Sequence, residues 1–231
     1  MMEFTCSSAG DRAVLVQFKQ EISEETNWKV IALANHLEKN QIDGVEEWVP
    51  AYAALMVYYN PIKIGYVELV KILVELDIEE SSQRKTSSII HEIPVLYGGE
   101  CGPDLQDVAA FHGLNVQDVI HIHSRSTYRV YMIGFVPGFP YLGGLDSRLH
   151  TPRLDIPRLK IPAGSVGIAG QQTGIYPLTS PGGWRIIGHT PISLFQPDDR
   201  VNPFLISAGD SIRFVPVTEE EYCLIKGNIK Q

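Results

Sequence analysis

The chain has 231 residues, of which 44% are hydrophobic, and this is enough for one large domain or two small ones with a sizeable core. Its formal charge of −8 argues against nucleic acid as a partner, and three scattered cysteines suit a reducing compartment better than a disulfide framework. There is no leader-like start and no run of about 20 apolar residues, so the sequence predicts a soluble, cytoplasmic protein.

The first part of the chain alternates strand and helix signals. The run AVLVQF (13–18) predicts a strand, and the apolar spacing over Glu24–Lys39 predicts an amphipathic helix. Two strands, VEEWV (45–49) and AALMVYY (53–59), follow, and a second amphipathic helix ends near Asp77. This order is most of a ferredoxin-like split βαβ unit, which needs one more strand before or after the linker.

A polar linker, ESSQRKTSS (80–88), follows this α/β segment. It has no aromatic or large aliphatic side chain, so it cannot order itself by burying apolar surface. The sequence therefore predicts a small α/β domain over residues 1–85 and a second domain over residues 86–231.

The second part of the chain is rich in short strand signals. HEIPVLY (91–97) and TYRVYMIGF (127–135) predict strands, whereas Asp104 and Asn115 at N-cap positions predict two short helices. Eleven of the 20 glycines and eight of the 15 prolines fall within residues 134–191. Further short strands are predicted at SVGIA, WRIIGH, ISLF and SIRFVPV, and their Gly and Pro punctuation favours a β-barrel or sandwich over a parallel sheet.

The segment GFVPGFPYLGG (134–144) combines glycines and prolines with three rings, Phe135, Phe139 and Tyr141. Glycine lets other groups approach the main chain and proline restricts its φ angle, so we expect a rigid loop whose backbone is little covered by side chains. It is either a pocket wall with exposed N–H groups or a barrel corner whose rings fill the core. Truncation of Phe139 separates the two, because it destabilises a packed core strongly and a pocket wall weakly.

The segment IPAGSVGIAGQQTGIYPLTSPGGW (161–184) is also rich in glycine and proline, and it contains small polar side chains as well. These side chains can orient a polar ligand, and successive glycine N–H groups can form a nest for an anion. The alternative is a set of hairpin turns. The polar residues concerned are Ser165, Gln171, Gln172, Thr173 and Ser180.

Basic residues supply a candidate anion clamp between these two segments. Arg148, Arg153, Arg158 and Lys160 lie within thirteen residues of each other, and arginine suits carboxylate or phosphate. A salt-bridged, solvated loop is the competing interpretation. Arg185, next to a tryptophan in a Gly-Gly turn, is the better single candidate.

Histidines and nucleotide motifs give weaker signals. His121 and His123 would share one face of a strand but not of a helix, and no further zinc ligand appears at a recognisable spacing. His189 is either an acid, base or ligand contact, or an ordinary hydrogen-bonded histidine. The sequence has neither a P-loop nor a GxGxxG motif, so any ATP site would have to use a different loop geometry. The GxSxG motif of α/β-hydrolases is also absent.

Taken together, YRVYMIGFVPGFPYLGGL, TPR, the 161–184 segment and IGHTP resemble one family along nearly the whole chain, most strongly over residues 93–217. This family includes the B subunit of 5-oxoprolinase, the sporulation-kinase inhibitor KipI and a protein formerly labelled as the first subunit of allophanate hydrolase. The resemblance implies an α+β chain, with an N-terminal ferredoxin-like domain followed by a C-terminal cyclophilin-like β-barrel.

The resemblance also implies a function. The chain would be one subunit of an enzyme that opens 5-oxoproline to L-glutamate with ATP as co-substrate, together with Mg²⁺, and it would act with the C and A subunits of that enzyme. The alternative is a regulator that binds a sensor histidine kinase and blocks its autophosphorylation. Proline isomerisation rests on fold analogy alone.

Site residues carried over from the resemblance fall into two groups, without a metal site. The catalytic candidates are Arg158, Arg185 and His123. The substrate-binding candidates are Phe139, Tyr141, Gly164, Gln171, Thr173, Tyr176 and His189.

Overall fold

A computed structural model describes residues 3–21, 23–76 and 89–228. The chain divides into two compact units, residues 1–87 and 88–231. The linker ESSQRKTSS and the end of the second predicted helix at Asp77 lie outside the described residues. None of the described helices combines the length and the apolar character needed to cross a bilayer.

The first unit is an antiparallel sheet with two helices. In chain order its elements are β1 (Thr5–Ser8), β2 (Ala13–Gln17), α1 (Glu24–Lys39), β3 (Val45–Pro50), β4 (Ala54–Tyr59) and α2 (Tyr66–Glu75). The four strands lie in the order β1, β2, β4, β3. The strand that the sequence pattern left unplaced is β1, which precedes β2 and pairs with it antiparallel.

Helix α1 shows why the sequence pattern located it well. The Ser23 hydroxyl accepts a hydrogen bond from the Thr26 N–H at 3.2 Å and so caps the N-terminus. The apolar stripe of the helix faces the sheet, where it packs against β3 and β4. Val30, Leu33 and Leu37 on this stripe are almost completely buried.

The second unit contains a closed barrel with short helices, so the chain is mixed α+β as predicted. Its elements are β5 (Ile90–Tyr97), α3 (Leu105–His112), α4 (Val116–Arg125), β6 (Thr127–Ile133), β7 (Pro140–Gly143), a 3₁₀ turn (Ser147–Leu149), β8 (Arg158–Ile161), β9 (Ser165–Ala169), β10 (Gln172–Ile175), β11 (Ser180–Gly182), β12 (Arg185–His189), β13 (Ser211–Pro216) and α5 (Glu219–Asn228).

Seven of these strands close into the barrel, in the order β10, β7, β6, β13, β5, β12, β9 and back to β10. The pair β13–β5 is parallel, and the other pairs are antiparallel. The interior is filled by aliphatic side chains such as Val130, Leu142, Val166 and Ile187, all with no exposed surface. Strands β8 and β11 form a separate two-stranded ribbon.

Three local predictions in this unit had different outcomes. Asn115 caps α4 as predicted, because its side chain accepts a hydrogen bond from the Asp118 N–H at 2.8 Å. Asp104 is the N-cap residue of α3, as predicted, although its side chain makes no capping hydrogen bond. The predicted strand ISLF was also wrong, since only Phe195 makes an isolated bridge, with Phe204. This segment lies between Pro191 and Pro197, which cannot donate ladder hydrogen bonds.

Candidate functional site

The loop over residues 134–144 buries its central ring. Phe139 is 1% exposed, and its ring centroid lies 4.8 Å from that of Tyr141, 5.2 Å from Tyr176 and 5.3 Å from Trp184. These four residues are called the aromatic cluster below. Phe139 therefore follows the packed-corner alternative and packs against Tyr176, which is also 1% exposed, whereas Tyr141 is only half-buried.

Backbone amides in the glycine-rich segments are largely engaged within the protein. The Gly134 N–H donates to the Phe139 carbonyl at 3.1 Å, and the Val136 N–H donates to the Gly134 carbonyl at 2.8 Å. The Gly164 N–H donates to the Tyr176 carbonyl at 2.6 Å. These amides are therefore not free to bind an anion. The sequence predicted exposed N–H groups in these loops, but at these positions the N–H groups are hydrogen-bonded within the protein.

Gly164 is required by close packing in the turn before β9. Its φ is +89°, and a Cβ there would collide with the Thr190 carbonyl and the His189 ring. His189 in turn donates from Nε2 to the Ala163 carbonyl at 2.7 Å and accepts at Nδ1 from the Tyr222 hydroxyl at 2.9 Å. Burial lowers the pKa of His189, so the ring is neutral near pH 7 and joins the turn to α5.

His123 lies on α4 and is completely buried. Thr173 donates from Oγ1 to the Gly167 carbonyl at 3.0 Å, so this oxygen accepts from His123 Nε2–H at 2.8 Å. His123 Nδ1 then accepts from the Tyr97 hydroxyl, also at 2.8 Å. The ring stacks on Phe214 with centroids 4.5 Å apart. The structure therefore places His123 and Thr173 in an interior network in which their side-chain polar atoms are already paired.

This network makes stability depend on pH. Burial lowers the pKa of His123 to about 3, whereas an unfolded histidine titrates near 6.5. The stabilisation is complete above about pH 6.5 and is lost as pH falls toward 3, because only the unfolded chain takes up the proton. We expect a loss of about 2 to 3 kcal/mol between pH 6.5 and 4.5 from this residue.

The measurement is urea unfolding of the wild type and of His123→Gln at several pH values. Glutamine does not titrate, but its side chain keeps a hydrogen-bond donor and an acceptor. The variant should lose less stability than the wild type on acidification. His121→Gln is the matched control, because His121 is exposed on the same helix and should leave the pH profile unchanged. Parallel profiles for the wild type and His123→Gln would contradict the assignment.

Arg158 is held by a buried carboxylate. It donates from Nη1 and Nη2 to the two carboxylate oxygens of Asp104, at 2.8 and 2.6 Å. Asp104 is 4% exposed, and its Oδ2 also accepts from the Ile186 N–H at 2.6 Å. This ion pair therefore joins the start of α3 to β8 and β12. This ion pair was not predicted from the sequence, where Asp104 was interpreted only as a helix cap.

Arg148 follows the salt-bridged alternative for the basic segment. Its Nε and Nη2 donate to the carboxylate of Asp146 at 3.0 and 2.7 Å. These hydrogen bonds lower the pKa of Asp146. Because Arg148 is exposed and already paired, it is a poor candidate for ligand binding.

Two arginines, Arg153 and Arg185, lie at the segment over residues 151–154. Arg185 donates from Nε to the Pro152 carbonyl at 3.2 Å, which ties the start of β12 to the segment over residues 151–154. Arg153 is exposed, and its charge opposes the rise that burial causes in the pKa of Tyr141. Among the described residues, neither guanidinium has a carboxylate within ion-pair distance. Arg153, Arg185 and Tyr141 are called the cationic rim below.

The cationic rim is the part of the candidate set best suited to bind an anion. Arg153 acts electrostatically on the half-buried Tyr141, and Arg185 is tied to the neighbouring Pro152, so two guanidinium groups without a described carboxylate partner provide positive charge and donors. The last binding candidate, Gln171, is exposed in the tight turn between β9 and β10. Within the described residues, no group of three or more His, Cys, Asp or Glu side chains is arranged to hold a metal ion.

The sequence matches the family described as the carboxyltransferase domain, subdomain C and D, over residues 4–206. The 5-oxoprolinase B subunit of Bacillus subtilis (strain 168) is 42% identical, over 96% of this chain and 96% of its own length. The 5-oxoprolinase B subunit of Escherichia coli O157:H7 is 43% identical, over 95% of this chain and 99% of its own length.

A solved structure, that of TTHA0988, is similar in fold. It superposes with a TM-score of 0.80 at 38% sequence identity. The match covers 90% of this chain but 40% of TTHA0988, so this chain corresponds to less than half of that longer polypeptide.

Proposed function

The chain belongs to the family described as the carboxyltransferase domain, subdomain C and D, and we propose that it is the B subunit of an ATP-dependent 5-oxoprolinase. The observation that carries this proposal is the nearly end-to-end identity, 42% and 43%, with two proteins named as the B subunit of 5-oxoprolinase. The enzyme opens 5-oxoproline to L-glutamate while hydrolysing ATP, and this chain acts in it together with the C and A subunits.

The proposed domains are a ferredoxin-like domain over residues 1–85 and a cyclophilin-like barrel over residues 86–231. The first assignment is supported by the order strand, helix, strand, strand, helix, with β1 supplying the fourth strand next to β2. The second is supported by the closed seven-stranded barrel. The compact units at residues 1–87 and 88–231 are consistent with this division.

ATP has a clear chemical task in this reaction. An unstrained amide is a poor electrophile, and transfer of the γ-phosphoryl group to the lactam oxygen activates the ring carbon while ADP leaves. Water then adds to that carbon, the ring C–N bond breaks, and the nitrogen takes up a proton to become the amine of glutamate. A second water releases phosphate. The protein contributes positioning and charge neutralisation to such a transfer.

The residues proposed for this task are those of the cationic rim. Arg185 and Arg153 neutralise negative charge on the phosphoryl group or on the substrate carboxylate, and Tyr141 seats the ring of the substrate. We leave His123 and Thr173 out of the proposed catalytic and binding sets because their side-chain polar atoms already have hydrogen-bond partners inside the protein. We propose that Mg²⁺ enters with the phosphates of ATP.

Partner subunits are supported by the length of one relative. TTHA0988 contains a region equivalent to this chain as 40% of a single polypeptide. A second, covalently joined part therefore accompanies this module in that protein. We propose that a separate polypeptide takes its place here and contributes the rest of the active site, which accounts for the incomplete set of reactive groups among the described residues of this chain.

Arg185→Ala tests the site in the assembled enzyme. We expect kcat/KM for 5-oxoproline-dependent ATP hydrolysis to fall about 100-fold, the usual effect of removing one donor that stabilises transition-state charge. Arg185→Lys should recover part of the activity, because it keeps the charge but not the planar fork. Arg148→Ala is the matched control, since Arg148 is engaged with Asp146. Equal activities for Arg185→Ala and Arg148→Ala would contradict the assignment.

Kinase inhibition remains a sequence-based prediction. The two relatives compared above carry the name of a metabolic enzyme, which favours the catalytic role. An autophosphorylation assay of a sensor histidine kinase, with and without the purified chain, measures the other role directly.

A further inference from the structure

Ser180 on β11 carries an unusual hydroxyl. Within the part of the chain that the structure describes, its Oγ is the buried side-chain polar atom that has no hydrogen-bond partner. The residue is 9% exposed. A buried hydroxyl without a partner costs free energy, and folded proteins seldom keep one unless it has a use. A polar group of a ligand would complete the hydrogen bonding of this atom.

The register of the β8–β11 ribbon defines where this hydroxyl lies. Ser180 is opposite Ile161, and Gly182 is opposite Arg158, with an irregularity between the two pairs. Cross-strand partners project to the same face of a ribbon, and Ile161 is completely buried. Ser180 and Arg158 therefore belong to the inner face of the ribbon.

The packing beneath the ribbon supports this placement. A Cβ at Gly182 would collide with the Tyr176 hydroxyl and lie 2.9 Å from Ile161 Cδ1, so the inner face rests on the aromatic cluster. Ile161 itself belongs to the buried group that contains Phe139, Tyr176 and Trp184. Ser180 thus lies on the ribbon face that carries Arg158 and covers these rings.

The charge on this face is compensated. Arg158 donates to both carboxylate oxygens of Asp104, so the pair is close to neutral overall. A bare anion is better attracted to the uncompensated arginines of the cationic rim. A neutral hydrogen-bonding group fits beside Ser180, because a hydroxyl both donates and accepts. An amide presents an acceptor oxygen and an N–H donor next to each other.

We propose that the Ser180 hydroxyl binds the amide group of the cyclic substrate, while the cationic rim binds its carboxylate or the transferred phosphoryl group. This inference rests on the proposed function, because it assigns the amide of 5-oxoproline to one subsite. Ser180 acts here as a substrate-binding residue.

Ser180→Ala in the assembled enzyme tests this proposal through two readouts. The KM for 5-oxoproline should rise about 3- to 10-fold, as expected for one lost hydrogen bond, while the KM for ATP stays unchanged. The thermal midpoint of the variant should be equal to or higher than that of the wild type, because no internal hydrogen bond is lost. A purely structural serine gives the opposite pattern, with a lower midpoint and an unchanged KM.

Ser193→Ala is the control, since Ser193 is exposed and its hydroxyl donates to the Phe195 carbonyl. It should leave both KM values unchanged. Wild-type turnover with an unchanged KM for 5-oxoproline in Ser180→Ala overturns the subsite assignment alone. Absence of 5-oxoproline-dependent turnover in the wild-type complex overturns the proposed function, and the subsite assignment with it.

Discussion

Replacing Asp104 with alanine is expected to lower the free energy of unfolding by about 3 to 4 kcal/mol. The change leaves the Arg158 guanidinium, whose side chain is 33% exposed, without its counter-charge. It also leaves the Ile186 N–H without its acceptor at 2.6 Å. The loss is costly because Arg158 is left partly buried without its counter-charge and the N–H of the buried Ile186 is left unpaired.

Urea unfolding of the full chain measures this effect. Asp107→Ala is the matched control, because Asp107 is an exposed acid in the first turn of the same helix. Its loss should cost no more than about 1 kcal/mol, the usual size of a helix-terminus charge effect. Asp104→Asn should fall between the two, since an amide keeps one acceptor. Equal losses for Asp104→Ala and Asp107→Ala would show that the ion pair contributes little.

Phe139→Ala is expected to have an effect of similar or larger size. The ring is 1% exposed and contacts Tyr141, Tyr176 and Trp184, so truncation opens a cavity in the aromatic cluster. Large-to-small changes of a buried phenylalanine cost about 3 to 5 kcal/mol. The backbone at Gly174 packs closely against this cluster: a Cβ there would be 3.0 Å from both the Phe139 and the Trp184 ring.

Phe135→Ala is the comparison for this prediction. Phe135 is in the same loop and stands edge-on to Phe139 at 5.8 Å, but it is 61% exposed. Its φ of +65° also strains any side chain with a Cβ. We expect a cost below about 1 kcal/mol, as for most surface substitutions. A small loss of stability for Phe139→Ala, combined with a large loss of activity, would restore the pocket-wall interpretation.

The sequence pattern predicted much of the fold because local signals coincide with the structure. Asn115 caps α4 as its position indicates, and the bounds of α1 agree with the predicted helix at both ends. The strand β1 was missed because its residues, TCSS, have no apolar alternation. Its place in the sheet depends on pairing with β2, which a local pattern does not show.

The candidate site was less predictable because its contacts are distant in sequence. Asp104 and Arg158 are 54 residues apart, and nothing near Asp104 distinguishes a helix cap from an ion-pair partner. His123 and Thr173 are 50 residues apart and are both completely buried. Thr173 was a candidate because of its polar segment, and His123 was a candidate because of the family resemblance. The role of each polar side chain depends on whether it lies inside the closed barrel or at its surface, and this position cannot be predicted from the neighbouring sequence.

The glycine-rich segments illustrate the same difficulty. Glycine at positions 164 and 174 is explained by close approach of neighbouring groups rather than by ligand access. The rings among these glycines pack against one another to form a second, smaller core. Arg153 and Arg185, which have no ion-pair partner among the described residues, are the remaining candidates for contact with an anion.

The most direct measurement of the central claim is a reconstitution of the enzyme from its purified B, C and A subunits. We predict that glutamate and ADP form in equal amounts from 5-oxoproline and ATP, in bicarbonate-free buffer, and that omission of this chain abolishes both products. Turnover that continues at the same rate without this chain, or that requires bicarbonate, would contradict the claim that this chain is part of a 5-oxoprolinase.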